Sequence, residues 1–245
     1  MKKLNFLLAV ALVLVGGFVL IPNAHATVSS GSVAGNTAAD LVVGTSGADY
    51  NVSFSTNVAT TADSIVVTFP ANFVITNGDL TTAAISSSSI SARIGVGGTL
   101  WTVASVTGNS TNRTVSISIL DKNLSTGVVS FIVSLGVQNA TTTGATATSS
   151  ITSSAVGEVA QTNVAGVTLT PGTATQLVVT TQPAATSTSG IALVTQPVVT
   201  ARDTYGNTDT NFTELITMTE ASAGSLTAGA TTTAASGVAT FSGLA

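Results

Sequence analysis

Apolar and polar residues alternate at several places along the chain, with the period of a half-buried β-strand. Residues 50–54 read Tyr-Asn-Val-Ser-Phe, and residues 115–119 read Val-Ser-Ile-Ser-Ile. The longest alternation runs through residues 129–137. Clusters of Gly, Asn and Ser separate these stretches, and no convincing helical period accompanies them. Short strands at fairly regular spacing predict an all-β fold built from sandwiches.

The same alternation predicts which side chains form the core of the first sandwich, because every second residue of a strand points to one face. Trp101 is the only Trp, and it is interpreted as a core filler rather than a platform for a sugar. The predicted core consists of Tyr50, Val52, Phe54, Ile65, Val67, Phe69, Val115, Ile117, Ile119, Phe131, Val133 and Leu135.

Residues 196–207 predict a strand that runs into a tight turn. Pro197 suits the first position of a strand, where no N–H needs to be donated to the ladder. Asp203 and Asn207 have side chains that bond their own backbone, and Gly206 accepts a positive φ. A β-branched strand followed by such a turn indicates a hairpin in an antiparallel sheet.

The first residues predict an export signal rather than part of the fold. Lys2 and Lys3 precede an apolar run over residues 4–21, and residues 24–26 read Ala-His-Ala. A positive start, an apolar stretch and small residues at a cleavage site define a signal peptide, here residues 1–26. The competing interpretation is an uncleaved membrane anchor, since the apolar run is nearly long enough to span a bilayer.

Composition excludes several kinds of chemistry. Removing Lys2 and Lys3 leaves four basic against ten acidic residues, a net charge of −6, and the mature chain has neither Cys nor His. His-dependent nucleophilic triads are therefore excluded, and zinc is disfavoured because only carboxylates remain as ligands. The absence of a basic patch argues against nucleic-acid binding. A Ser-Lys dyad would have to use Lys122, which lies in a polar break between strands. We therefore expect no enzymatic activity.

Calcium is the one cofactor that the sequence leaves as a candidate. Asp203, Asn207 and Asp209 lie close together in one turn, and hard cations bind several oxygen ligands. The alternative is that Asp and Asn occupy this turn for backbone reasons alone.

Residues 174–245 contain a set of turn and strand motifs, namely Gln182-Pro183, Gly190, Gln196-Pro-Val-Val199, Asp203, Gly206-Asn207 and Gly237-Val-Ala-Thr-Phe241. Together these motifs resemble the bacterial Ig-like repeats of cell-surface proteins, the invasin-like class. Through residues 49–54 and 63–70, the first domain is similar to modules of S-layer-type surface proteins.

We therefore predict tandem Ig-like β-sandwiches after an N-terminal signal helix. The boundaries are residues 1–26 for the signal, 27–169 for the first domain, 170–173 for a hinge and 174–245 for the second domain. Pro171-Gly172 marks the hinge. The second domain has about five recognisable strands where an Ig-like sandwich needs about seven. We expect it to be incomplete, with an unpaired sheet edge.

These features favour an exported structural module of the cell surface, acting as a stalk, a spacer or a component of a surface layer. Its expected partners are the cell envelope or neighbouring surface proteins. The alternative is an adhesin or carbohydrate-binding module that uses loops or exposed aromatic side chains. A binder should expose Trp101, Tyr50 or Tyr205 in a cluster, whereas a spacer should bury or isolate them.

Overall fold

The computed structural model describes residues 28–56, 64–80, 103–119, 127–134, 136–153, 160–220, 226 and 228–245. The predicted signal peptide, Trp101, Lys122 and Leu135 lie outside these residues. The described part of the chain is all-β, with antiparallel sheets and a single turn of 3₁₀ helix at Ala39–Leu41. This confirms the all-β part of the predicted fold class. None of the helical structure in these residues is long and apolar enough to cross a membrane.

In the described residues, thirteen strands precede the predicted hinge, and we call this group the first unit. They are β1 (Val28–Gly35), β2 (Tyr50–Thr56), β3 (Ser64–Thr68), β4 (Val74–Ile75), β5 (Gly78–Leu80), β6 (Val103–Asn109), β7 (Thr114–Ile119), β8 (Gly127–Val133), β9 (Val137–Gln138), β10 (Gly144–Ala145), β11 (Ser149–Ser153), β12 (Gln161–Val164) and β13 (Thr168–Leu169).

Two sheets dominate the first unit. One has six strands in the order β12-β11-β3-β7-β6-β5, and the other has three in the order β1-β2-β8. Register places apolar residues of neighbouring strands opposite each other, as in the pairs Ile65–Ile117 and Val52–Phe131. Both sheets contribute their buried side chains to one hydrophobic cluster. The core of the first unit is formed jointly by the apolar faces of the two sheets.

The predicted core of this unit agrees closely with the observed one. Eleven of the twelve predicted side chains are buried, and the twelfth, Leu135, is outside the described residues. β3 and β7 show why, because their burial alternates strictly between half-buried and buried positions. A strand with one buried face places every second side chain in the core, so the sequence pattern alone identifies the inward residues.

The part of the second unit that the structure describes has five strands, and none of them shares a sheet with the described strands of the first. Three pair in the order β14-β15-β18, and two form the pair β16-β17. Both sheets contribute to a small separate core that contains Ile216, Ala239 and Phe241. The strands are β14 (Gln176–Thr181), β15 (Val198–Arg202), β16 (Leu215–Thr217), β17 (Thr231–Thr233) and β18 (Val238–Thr240).

Two details of the strands are not evident from the hydrophobic pattern. Residues 164–169 do not form one strand, because β12 ends at Val164 and β13 begins at Thr168, where it pairs with β10. The apolar Leu226 lies in no strand, whereas the polar run Thr231–Thr233 forms β17. Thr231–Thr233 pairs along its whole length with β16, and pairing of this kind is a non-local property that hydrophobic periodicity does not report.

The strand β14 lies at the edge of its sheet and, within the described residues, pairs only with β15. Leu177 and Val179 stand opposite Ala201 and Val199 in register, and thus on the same face as these buried residues. Both nevertheless remain substantially exposed. An uncharged edge strand of this kind is an aggregation hazard.

Candidate functional site

The turn that carries the calcium candidates follows β15 directly. The N–H of Asp203 donates to the carbonyl of Asn207 at 2.9 Å, and the N–H of Gly206 donates to the carbonyl of Asp203 at 3.0 Å. Gly206 has φ +88°, which favours a residue without Cβ. A bridge between Arg202 and Thr208 closes the turn. Residues 203–209, called the acidic turn below, therefore form a short hairpin end at the predicted place.

Asp203 occupies the centre of the acidic turn and is only 1% exposed. Its Oδ1 accepts hydrogen bonds from the backbone N–H groups of Tyr205 and Asn207, each at 2.9 Å. Its Oδ2 accepts from the backbone N–H of Gly172 at 3.0 Å. The Asn207 side-chain amide donates to both oxygens, at 3.2 and 3.0 Å. This carboxylate therefore organises its own turn and also holds the linker at Gly172.

The hydrogen bonds also set the ionisation of Asp203. Burial by itself raises the pKa of the carboxyl, because a charged group loses hydration. The bonds from the Asn207 side chain and from the backbone N–H groups of Gly172, Asn207 and Tyr205 outweigh burial and hold the pKa below its ordinary value. The donors stabilise the carboxylate form, so Asp203 is charged in the folded protein at neutral pH.

Asp209 repeats this arrangement two residues further along the linker. It is 5% exposed, and its Oδ2 accepts from the backbone N–H of Ala174 at 2.8 Å. Its Oδ1 accepts from the backbone N–H of Asn211 at 3.0 Å. Asp203 and Asp209 thus bind Gly172 and Ala174, two alternate residues of the segment that joins the units. Both carboxylates act as hydrogen-bond acceptors for main-chain donors.

The three calcium candidates lie together, as predicted, but their oxygens face N–H donors. Every carboxylate oxygen of Asp203 and Asp209 accepts at least one N–H bond. The Oδ1 of Asn207 accepts from the N–H of Thr143 at 3.3 Å. Calcium takes six to eight oxygen ligands, and donors aimed at the same oxygens compete with a cation. The arrangement does not fit a calcium shell. Among the described residues, no group of three or more His, Cys, Asp or Glu side chains comes together around a shared point.

An open groove of about 800 Å³ lies between the two units. It is lined by the linker over residues 170–174, by Phe212 and Glu214 of the second unit and by Ala38 and Val42 of the first. The lining includes one aromatic side chain and two carboxylates, those of Asp209 and Glu214. Its volume is within the range of small-molecule sites, although its walls carry few convergent polar side chains.

The aromatic candidates are not gathered into one surface. Tyr50 is fully buried and packs edge-on against Phe69 and Phe73, with ring centroids 5.4 and 6.0 Å away. Tyr205 is 45% exposed and belongs to the acidic turn. Trp101 is outside the described residues. Tyr50 and Tyr205 therefore do not form the exposed cluster that a binding platform requires.

A buried polar network in the first unit was missed by the sequence analysis. The Tyr50 hydroxyl donates to Oδ1 of Asn139 at 2.6 Å, and Nδ2 of Asn139 donates to the carbonyls of Asp40 and Val42 at 2.8 and 2.7 Å. Burial, with a smaller contribution from the Asp40 charge, raises the pKa of Tyr50. The sequence signal for this network was Asn139, which stands two residues after Val137 and just before Ala140, at the end of the longest alternation.

Asp40 stabilises the same region. Its Oδ2 accepts from the N–H and the hydroxyl of Thr37, at 2.8 and 2.6 Å, and its Oδ1 accepts from the N–H of Asp49 at 2.9 Å. Burial raises the pKa of Asp40, but these bonds outweigh it and leave the pKa below its ordinary value. The carboxylate thus fixes the loop between β1 and β2 in the way that Asp203 fixes the acidic turn.

A scan against protein-family models finds no family that matches this chain, and a search of curated proteins finds no match either.

Proposed function

We propose that this chain is an exported structural module of a bacterial cell surface, built from tandem Ig-like β-sandwiches and acting as a stalk, spacer or surface-layer component. One observation carries the proposal. The buried carboxylates that a reactive or metal site would use, those of Asp203 and Asp209, are committed to main-chain donors in the segment between the units. Side chains used in this way hold the linker against the second unit, and their oxygens are not free to act as an acid or base.

The Ig-like assignment is supported by the arrangement of the sheets. In the first unit, two antiparallel sheets contribute to one core, which is the construction of a sandwich. In the second unit, β14-β15-β18 and β16-β17 share a smaller core. The turn motif Asp203, Gly206-Asn207 that carries the resemblance to Ig-like repeats forms the hairpin end that such a repeat requires.

Export is supported by the signal-like residues 1–26 and by the composition of the chain. Only 7% of its residues are charged, so its surface depends on Ser, Thr and Asn. The scarcity of Lys and Arg leaves few sites for trypsin-like proteases, which suits an exposed stalk. The partners of such a module are the cell envelope or neighbouring surface proteins.

Expression of the full chain in a bacterial host tests the proposal. We expect the mature protein to begin at Thr27 by N-terminal sequencing and to be recovered from the cell surface or the medium. Labelling of intact cells with a membrane-impermeant amine reagent should reach it, through its new N-terminal amine or Lys122. Retention in the cytoplasm with residues 1–26 intact, or hydrolytic activity in the purified chain, would contradict the proposal.

A binding module is the second candidate, favoured by the groove between the units. Phe212 offers an aromatic face there, and Glu214 offers a carboxylate, as sugar-binding sites often do. A glycan array probed with the labelled mature chain separates the two functions. Saturable binding that Phe212→Ala abolishes would favour the binding module, and an array without signal would favour the spacer.

A further inference from the structure

The acidic turn of the second unit makes direct contacts with the first unit. Nδ2 of Asn207 donates to the carbonyl of Thr141 at 2.9 Å, while the N–H of Thr143 donates to Oδ1 of the same side chain at 3.3 Å. Asn207 also binds Asp203 within its own turn. The Asn207 side chain is therefore hydrogen-bonded to both units at once. These bonds hold the amide group in place from both sides.

The ring of Tyr205 lies directly against Gly44 of the first unit. Gly44 has φ +67°, and a Cβ built on it would overlap the Tyr205 ring and hydroxyl. The N–H of Gly44 donates to the carbonyl of Ala140 at 3.0 Å, which holds the loop in place. The absence of a side chain at Gly44 therefore permits the close approach of Tyr205. Its positive φ is a second reason for Gly at this position.

The linker is attached at both of its ends. At its start, Thr170 donates its N–H to the carbonyl of Leu41 at 2.8 Å and accepts from the N–H of Val43 at 3.0 Å, so it pairs with the first unit. At its end, Gly172 and Ala174 donate to the carboxylates of Asp203 and Asp209 in the second unit. A segment of this length that is bonded on both sides cannot act as a free hinge.

We propose that the acidic turn is a latch that locks the orientation of the two units and couples their unfolding. Units joined by a linker move relative to one another unless their interface is held. Here Asn207, Tyr205 and the two carboxylates provide that hold through hydrogen bonds and ring packing. The latch goes beyond the proposed function, because it concerns the mechanics of the joint and holds wherever the protein is located.

Distance measurements between two spin labels in the purified mature chain test the latch. The sequence contains no Cys, so labels can be placed uniquely at Asn112→Cys and Thr219→Cys, which are exposed and outside the joint. We expect a single narrow distance distribution in the parent. Asn207→Ala combined with Tyr205→Ala should broaden it, and calorimetry should then resolve two unfolding transitions in place of one.

Two further variants keep the test decisive. Thr204→Ala changes an exposed residue of the same turn and should leave the distribution narrow. Gly44→Ala places a methyl group against the Tyr205 ring from the first unit, so it should broaden the distance distribution. This variant changes no residue of the second unit, so the result does not depend on how well a substituted second unit folds. In a Tyr205→Ala background the extra effect of Gly44→Ala should shrink, because the overlap is gone.

A broad distance distribution in the parent would overturn the proposed latch. A narrow distance distribution in both the double variant and Gly44→Ala would overturn it as well. This outcome is separate from a failure of the proposed function, which depends on export and surface location rather than on the distance between labels.

Discussion

Tyr50 and Asn139 illustrate how this protein uses its buried polar side chains. Asn139 is 1% exposed and makes hydrogen bonds with the Tyr50 hydroxyl and with the carbonyls of Asp40 and Val42. Buried polar groups are costly when unpaired, so such a network specifies one arrangement of the loop that it joins. Asp203 acts in the same way in the second unit. At both places the polar atoms bind backbone groups of loops.

Substitution of Tyr50 by Phe should destabilise the first unit by about 1–3 kcal/mol, because Oδ1 of Asn139 then lacks its donor in a dry environment. Urea-induced unfolding measures the change. The matched control is Tyr205→Phe, because Tyr205 is 45% exposed and the loss of its hydroxyl should cost little stability. Equal losses in the two variants would show that the buried hydrogen bond has no special role.

Stability should fall with acid because of Asp203 and Asp40. Both carboxyls have a pKa below the ordinary value in the folded state. Their contribution is therefore complete above the unfolded-state pKa of about 4 and is lost as the pH falls through the folded-state values. The free energy of unfolding of Asp203→Asn should be lower at pH 7 and should depend less on pH below about 5.

Thr204→Ala provides the control for this titration, since Thr204 is exposed in the same turn and carries no ionisable group, so the acid dependence of the parent should stay nearly unchanged. Denaturant unfolding at several pH values measures both variants. An acid dependence in Asp203→Asn as steep as that of the parent would contradict the assigned role.

At the scale of elements, the strands of the first unit form where apolar and polar residues alternate. β3 and β7 pair in a register that places Ile65 opposite Ile117, and both side chains are buried. The neighbouring half-buried positions carry Ser, Thr or Val. Side chains on opposite faces of a strand should consequently differ strongly in their contribution to stability.

Replacement of Ile65 by Ala should cost about 2–5 kcal/mol, because it leaves a cavity in the joint core of the two sheets. Ile132→Ala is the matched control, since Ile132 is only half-buried and lies in β8 on the face opposite to Phe131. The loss of stability in Ile132→Ala should be clearly smaller than that in Ile65→Ala. Chemical denaturation compares the two, and a reversed order would contradict the assignment of the faces.

At the scale of the whole molecule, the two units have separate cores and meet through the linker and the acidic turn. The contact is largely polar, with Tyr205 against Gly44 as its main packing element. Main-chain N–H groups of the linker, of the turn itself and of Asn211 donate to the carboxylates of the turn. This arrangement determines how the molecule should respond to cations.

Calcium should leave the thermal unfolding midpoint of the mature chain unchanged, because the oxygens of Asp203, Asn207 and Asp209 already accept N–H bonds. A ligand that binds only the folded state at 100 times its Kd would stabilise it by about 2.7 kcal/mol, which is easily seen in a melting curve. Scans with calcium and with a chelator are compared. A rise in Tm that Asp209→Asn removes would restore the calcium hypothesis.

The sequence by itself determined the fold class and the inward face of the first unit's strands. Alternation has the strand period, and burial of one face is a local consequence of that period, so Tyr50, Ile65 and Phe131 could be assigned without coordinates. The turn at Asp203, Gly206 and Asn207 was likewise predictable, because its backbone requirements are local. The strand β17 was not, since Thr231–Thr233 has no apolar period and is set by pairing with β16.

Only the tertiary structure decided what the acidic side chains do. The sequence placed Asp203, Asn207 and Asp209 in one turn, which is compatible with a cation or with backbone bonding. The choice depends on donors from Gly172, Ala174 and Thr143, which are 31, 35 and 64 residues away from their partners along the chain. Contacts between residues so distant in sequence are created by the packing of the units, and no local pattern encodes them.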